Sequence, residues 1–238
     1  MPAPRLSIVI PAYNEQESIE ECVAEVCGVM DAQGDGYEVI VVDDGSADGT
    51  FERLRALKTK YPALRVLRFA RNAGQTAAMD AGFKNARGEL VATLDADMQN
   101  DPADIPKMLS LAKDWDVVCG VRARRLDTPL RKMSSRIGNG VRNWLTHERI
   151  TDTGCTLKIF HREHVQRLKL FNGMHRFLPT LLRLDGCTIT EAPVNHRPRL
   201  KGKAKYGVWN RAFRGLRDVF AVRWMQSRWI RYEIKEEL

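Results

Sequence analysis

The sequence predicts an α/β fold, an open and mostly parallel sheet with helices on both faces. Three observations predict it. Over the first half, short apolar runs alternate with segments of helical periodicity, and continuous apolar strands are those buried on both faces of a parallel sheet. Three of these runs end in polar, acidic clusters, as expected at the carboxyl edge of such a sheet, where ligands bind. The 238 residues, 44% hydrophobic, are enough for one sizeable core.

Leu6–Ile10 reads as a first strand, closed by Pro11. Glu15–Met30 reads as a helix, with Ile19, Val23, Val26 and Met30 at helical spacing. Tyr37–Val42 is a second strand, and Asp48 is the expected N-cap of a helix reaching Lys60. Leu64–Phe69 is a third strand. Gly74–Ala86 is a helix ended by Gly88, and Glu89–Leu94 is a fourth strand. Asp101 and Pro102 start another helix, with Pro102 at its first position. Trp115–Val121 is a fifth strand. Beyond it the regularity breaks. Pro129–Leu145 predicts a basic helix, Thr151–Phe160 is mixed, Met174–Leu184 is helical and Cys187–Val194 is a strand. His196–Gly207 is a basic loop, and Val208 to Tyr232 reads as a helix. The expected organisation is one domain over 1–207 with a basic amphipathic extension over 208–238.

The net charge of +8 is unevenly placed. His196–Leu238 holds twelve Lys and Arg against four Asp and Glu, and Arg122–Arg149 holds eight against two. The rest of the chain is net acidic. Basic segments following an acidic body point to a polyanionic partner: nucleic acid, anionic lipid or phosphorylated small molecules. The five cysteines, Cys22, Cys27, Cys119, Cys155 and Cys187, form no CxxC pair. Neither a disulfide framework nor a zinc site is expected, and a reducing cytosol is. The apolar run in MPAPRLSIVIP is too short for a signal peptide, and no run of about 18 apolar residues suggests a membrane span.

The three polar strand ends are Pro11-Ala12-Tyr13-Asn14-Glu15, Asp43-Asp44-Gly45-Ser46 and Asp95-Ala96-Asp97-Met98-Gln99. The first lacks the glycines of a G-x-G-x-x-G loop, which argues against a dinucleotide oxidoreductase. Tyr13 suits stacking on a base or sugar ring, and Glu15 suits accepting hydrogen bonds. In the second, Asp44, Ser46, Asp48 and Gly49 mimic a calcium loop, but Arg55 stands where its bidentate Glu belongs. Two adjacent carboxylates suit acceptors for the N–H edge of a nucleobase. In the third, Asp95 and Asp97 leave the strand two residues apart and can share a divalent ion. Few, hard oxygen ligands suit Mg2+ or Mn2+ held together with ligand phosphates, and Gln99 would complete the set. Asp101 is expected only to cap the next helix.

LSIVIPAYNE at 6–15, VVDDGS at 41–46, LDADMQ at 94–99 and HRPRLKGKAKYG at 196–207 together resemble the inverting family-two glycosyltransferases of the GT-A fold. Within them they look most like the polyprenyl/dolichyl-phosphate hexose (mannose or glucose) synthases. The resemblance covers residues 5–207, and Ala204 stands where that subgroup more often has Ser. It implies metal-dependent, inverting transfer of a sugar from a GDP- or UDP-linked donor to a polyprenyl phosphate. Pro11, Tyr13, Glu15, Val42, Asp44 and Ala96 would line the nucleotide. Asp95, Asp97 and Gln99 would hold the metal and diphosphate. Arg122 would face the phosphates or the acceptor. Arg131 and Ser135 would meet the acceptor phosphate, and Arg199 and Lys205 would close over the diphosphate.

A phosphomonoester acceptor has a second pKa of about 6. It is an anionic nucleophile at neutral pH and needs no general base. A sugar hydroxyl acceptor, as in cell-surface polysaccharide synthesis, needs one, and Asp152 in ITDTGC is the candidate. In the last segment Trp209, Phe213, Leu216 and Phe220 recur at helical spacing, flanked by Arg211, Arg214 and Arg217, with Trp224, Met225, Trp229 and Ile230 beyond. That composition suits a helix lying on a membrane surface. The same stripe could pack on the body or on a second copy in a homo-oligomer. The expected place is the cytoplasm, peripheral on the inner face of the cytoplasmic membrane. A nucleic-acid-binding module would use the same basic segments. It leaves the acidic strand ends unexplained, so nucleic acid is not an expected partner.

Overall fold

A computed structural model describes residues 4–123, 140, 142–198, 208–230 and 235–236, with backbone only for 208–214. The strands are β1 Leu6–Ala12, β2 Tyr37–Asp43, β3 Leu64–Arg68, β4 Leu90–Thr93, β5 Val117–Arg122, β6 Lys158–His161 and β7 Ile189–Val194. They form one sheet in the order β3-β2-β1-β4-β6-β5-β7. Pairing is parallel except at β6, which runs antiparallel to both β4 and β5. The helices are α1 Ile19–Gln33, α2 Thr50–Lys60, α3 Gln75–Asn85, α4 Ile105–Leu111, α5 Arg162–Arg167, α6 Leu178–Leu184 and α7 Val208–Arg228.

Successive residues of a strand point to opposite faces, and here both faces are covered. Ile8 and Ile10 of β1 enter a core with Ile19, Val23 and Met30 of α1 and Ile105 and Met108 of α4. Val9 enters a second core with Ala78 and Phe83 of α3, Leu178 and Leu182 of α6, and Val219 and Val222 of α7. Double coverage is why β1, β4 and most of β2 lack polar alternation, whereas the edge strands β3 and β7 carry partly exposed polar residues. The chain builds β1, β2 and β3 outward in one direction, then places β4 on the other side of β1. This reversal opens a crevice at the carboxyl ends of β1 and β4.

Several elements depart from the sequence reading. α1 begins at Ile19 rather than Glu15, because the backbone N–H groups ahead of it bond to another loop. Asn14 donates to Ser46 Oγ at 2.9 Å and Glu15 to Thr50 Oγ1 at 2.8 Å. The mixed stretch after Thr151 contains β6, and α5 follows it. The single helix expected over Met174–Leu184 is a 3-10 turn, Met174–Phe177, followed by α6. Of the basic helix expected over 129–145, the described residues are 140 and 142–145, all helical, and the helix runs on to 146. All five cysteines are free and buried. Among the described residues no helix is long and apolar enough to cross a membrane.

The face of α7 carrying Val219 and Val222 is seated on the body, and Gln226 Nε2 donates to the Thr146 carbonyl at 2.7 Å. Gly173, at φ +96, lies against Asp218 of α7, and a Cβ there would overlap its carboxylate. The opposite face exposes Leu216, Phe220 and Trp224, one helical turn apart, and Ile230 is exposed beyond the helix end.

Candidate active site

The site is built from three loops at the carboxyl edge of β1, β2 and β4. The first two loops clasp each other. Asn14, in the left-handed region at φ 50, accepts from Ala47 N through Oδ1 at 2.9 Å, and Gln16 accepts from Gly49 N at the same distance. Asp48 accepts from Thr50 N at 3.0 Å and from Gln16 N at 3.3 Å. The N-cap of α2 is Gly49 rather than the expected Asp48, and Asp48 instead ties the loops together. Tyr13 and Glu15 are partly exposed on this rim, and Glu15 Oε2 accepts from Ser18 Oγ at 3.0 Å.

At the end of β2 the two adjacent carboxylates have separate tasks. Asp43 is fully buried, accepts from Ser46 N at 3.0 Å and pairs with Arg68 Nε at 3.3 Å. Asp44 is also buried. Its carboxylate accepts from Ala73 N at 2.7 Å, Asn72 Nδ2 at 2.8 Å and Gly74 N at 2.9 Å. Burial pushes its pKa above the ordinary carboxylate value, reinforced by the Asp43 charge and opposed by the two N–H bonds. The nucleobase contact expected of Asp44 therefore meets a carboxylate already holding three donors, with one lone pair on Oδ1 left over. Gly45 permits this arrangement. It sits at φ +68, and a Cβ would overlap the backbone of Arg71 and Asn72.

Beyond β4, Met98 turns the chain through the left-handed region at φ 62. Asp95 Oδ1 accepts from Gln75 Nε2 at the start of α3 at 3.0 Å, and Asp97 Oδ1 accepts from Gln99 N at 3.2 Å. Asp97 is only 8% exposed. The Cys22 thiol in the first turn of α1 is pushed far up by its burial and then by Asp97, Glu25, Asp95 and Glu15. Three of those acids are site residues, so the strand ends concentrate negative charge at one point.

Asp101 caps through Ala103 N at 3.0 Å, as expected, and does more. Arg197 lays its guanidinium between Asp101 Oδ1, at 2.8 Å, and Glu25 Oε1 of α1, at 2.7 Å. Arg197 N donates to the Gln99 carbonyl at 2.9 Å, and Asn195 N donates to Asp104 Oδ2 at 2.6 Å. The root of the basic loop is thus fastened beside the Asp95–Gln99 turn. Sequence reasoning did not find Arg197, whose partners lie 96 and 172 residues away in the chain.

Arg122 ends β5 and faces Asp152. Its Nε and Nη2 donate to the two carboxylate oxygens at 2.7 and 2.8 Å, and its backbone N donates at 3.3 Å. Gly154 N adds a fourth bond at 3.2 Å. Asp152 is therefore a saturated ion-pair partner, which removes the reason to read it as a general base. Burial narrows how Val42 and Ala96 could line a nucleotide. The side chains of Val42 and Ala96 are buried, at 0% and 2% exposure, so only their backbone could meet a ligand. Pro11 is partly exposed at the rim. Arg131, Ser135, Arg199 and Lys205 lie outside the described residues.

The mostly parallel, doubly covered sheet is the GT-A glycosyltransferase fold of the solved structures this chain is similar to. Residues 7–169 match the model described as Glycosyl transferase family 2, and the chain belongs to that family. It is 40% identical over 223 residues to a dodecaprenyl-phosphate galacturonate synthase of Rhizobium johnstonii, spanning 91% of this chain and 66% of that one. It is 37% identical over 206 residues to an undecaprenyl-phosphate 4-deoxy-4-formamido-L-arabinose transferase of Edwardsiella ictaluri, spanning 85% and 63%. The chain thus spans about two thirds of the length of these relatives. Among solved structures it is similar to a mannosyltransferase from Pyrobaculum calidifontis in complex with GDP-Man and Mn2+. The TM-score is 0.68 at 24% identity, over 92% of this chain and 64% of that one. A glucosyl-3-phosphoglycerate synthase from Mycobacterium tuberculosis, in complex with Mn2+, UDP and phosphoglyceric acid, gives a TM-score of 0.70 at 19% identity, over 94% and 78%.

Proposed function

We propose that the chain transfers a sugar from a nucleotide-diphosphate donor to a polyprenyl phosphate at a membrane surface. The observation that carries this is the convergence of Tyr13, Glu15, Asp44, Asp95 and Asp97 on the crevice where the strand order reverses. The names of the two relatives supply the acceptor class. They also extend the donor sugars to consider from mannose and glucose to galacturonate and 4-deoxy-4-formamido-L-arabinose.

In this reading Pro11, Tyr13 and Glu15 hold the base and ribose, with Asp44 behind them. Asp95 and Asp97, with Gln99, present hard oxygen donors crowded together in negative surroundings, and they fit Mg2+ or Mn2+. Such an ion supplies positive charge for the leaving diphosphate. Arg197 fastens the root of the basic loop beside the Asp95–Gln99 turn, and the resemblance assigns Arg199 and Lys205, further along the sequence, to the diphosphate. The acceptor phosphate attacks the anomeric carbon as an oxyanion. A carbon–oxygen bond forms on one face of the sugar while the bond to the diphosphate breaks on the other, inverting the centre. No proton has to be removed from the acceptor, which agrees with a site whose one candidate base, Asp152, is committed to Arg122. The experiment that tests this is a thermal-shift panel of nucleoside diphosphates with and without Mn2+. Stabilisation that needs both components is expected, and its absence across the panel would sink the assignment.

α7 is the proposed membrane contact. Its exposed Leu216, Phe220 and Trp224 are flanked by exposed Arg217 and Arg223, while Val219 and Val222 fix the helix to the body. Outward apolar residues beside arginines suit anionic lipid. Flotation with anionic liposomes at low salt should recover the protein. Replacing Phe220 and Trp224 with Glu should abolish recovery while leaving metal-dependent nucleotide binding intact. Equal recovery of the double variant would place the contact elsewhere.

A further inference from the structure

We propose that Asp116, His164 and Cys187 form a second metal site, for a borderline divalent cation of the Zn2+ type, at the edge of the sheet opposite the acidic strand ends. Asp116 immediately precedes β5 and Cys187 stands two residues before β7, so both lie at strand amino ends. β6 runs the other way, so its carboxyl end reaches the same edge and delivers His164 on α5. The reversed strand is what brings the three together.

The ligand atoms of the three side chains all lie within 4.8 Å of one another. His164 Nε2 is 3.5 Å from Asp116 Oδ1. A tetrahedral ion with bonds of about 2.0–2.3 Å needs ligand atoms roughly 3.3–3.6 Å apart. The Asp–His pair already has that spacing, and the thiol has to close by at most about 1.5 Å. Asp116 is oriented from behind, since its other oxygen accepts from Thr188 N and Thr188 Oγ1, both at 2.7 Å. Such outer support is what holds a metal-ligating carboxylate in place. Burial, then the charges of Asp116, Asp185 and Glu163, push the Cys187 thiol up to about 11, with Arg167 opposing, so the ion has to displace a thiol proton. The side chains of His164 and Asp116 are 23% and 34% exposed, which leaves a fourth position for water. Nitrogen, oxygen and sulfur together favour Zn2+ over the Mg2+ or Mn2+ suited to Asp95 and Asp97. Binding would form a metal–sulfur bond and release the thiol proton to solvent. The ion would staple α5 to the starts of β5 and β7. Spacing in the sequence could not reveal this site, because each ligand comes from a different segment.

Co2+ added to the metal-free full chain is the test, followed by Zn2+ in competition. One equivalent of Co2+ should give a sulfur-to-cobalt charge-transfer band that Zn2+ removes. Cys187→Ser should abolish the band, and His164→Gln should weaken binding at least about tenfold. Asp97→Asn should leave the band unchanged, which separates this site from the proposed donor site. A wild-type chain with no such band, or a band that survives Cys187→Ser, would overturn the proposal. If Cys187→Ser fails to fold, His164→Gln decides alone, and unchanged Co2+ affinity in it would count against the site.

Discussion

Asp97→Asn is expected to lower sugar transfer by roughly two to three orders of magnitude, the range seen when one preorganised charge-stabilising contact is lost. The amide keeps the shape and can still accept from Gln99 N, so the turn should hold. What disappears is a charge in a pocket already shared with Asp95 and Glu15. Two readouts should therefore part company. Stabilisation by nucleoside diphosphate with Mn2+ should vanish, while the melting temperature of the ligand-free protein should hold or rise, because like charges repel. A variant that keeps activity within tenfold would remove Asp97 from the site. A large fall in ligand-free stability would make it a structural residue instead.

The second large effect is expected at β5. Arg122→Ala should destabilise the protein by about 3–5 kcal/mol, the range for removing one partner of a buried ion pair. The side chains of Arg122 and Asp152 are 15% and 5% exposed, so the remaining carboxylate has little access to water. It would keep the backbone donors of residues 122 and 154. Pairing Arg122→Met with Asp152→Asn should recover much of the loss, because no uncompensated charge is left. Urea unfolding of the two single variants and the double variant checks this. An unchanged midpoint for Arg122→Ala would show that the pair is not structural. In that case an activity loss in Arg122→Lys at full stability would point to direct contact with substrate.

The polar strand ends were legible because two carboxylate pairs, Asp43-Asp44 and Asp95/Asp97, follow apolar runs directly and Glu15 follows a third at short distance, and local order carries that signal. β1 to β5 were legible for a related reason, since each is built mainly of apolar residues. β6 was not. Its four residues, Lys158 to His161, include a buried lysine and give no period to detect. The start of α1 was misplaced because helical spacing cannot show that Asn14 and Glu15 spend their N–H groups on Ser46 and Thr50. That Asp152, the candidate base for a hydroxyl acceptor, is bound to Arg122 is not visible in the sequence, because the partner lies 30 residues away. Arg197 was invisible for a similar reason. The outward stripe of α7 could be read from its sequence, but its inward residues, Val219 and Val222, are assigned only by what they touch.

The reversed strand also has a consequence for biosynthesis. As the chain emerges from the ribosome, β1 to β4 are complete at Thr93, but the open edge of β4 finds its partner only when Lys158–His161 appear. β5 emerges earlier and has no place in the sheet until then. For that interval the nascent domain presents an unpaired apolar edge, a template for pairing with other chains. A chain stopped at residue 150 is expected to aggregate or to be retained by chaperones, and a soluble, monomeric 1–150 fragment would contradict this. The last-made quarter of the sheet therefore acts as a seal, and solubility during synthesis depends on how soon it closes.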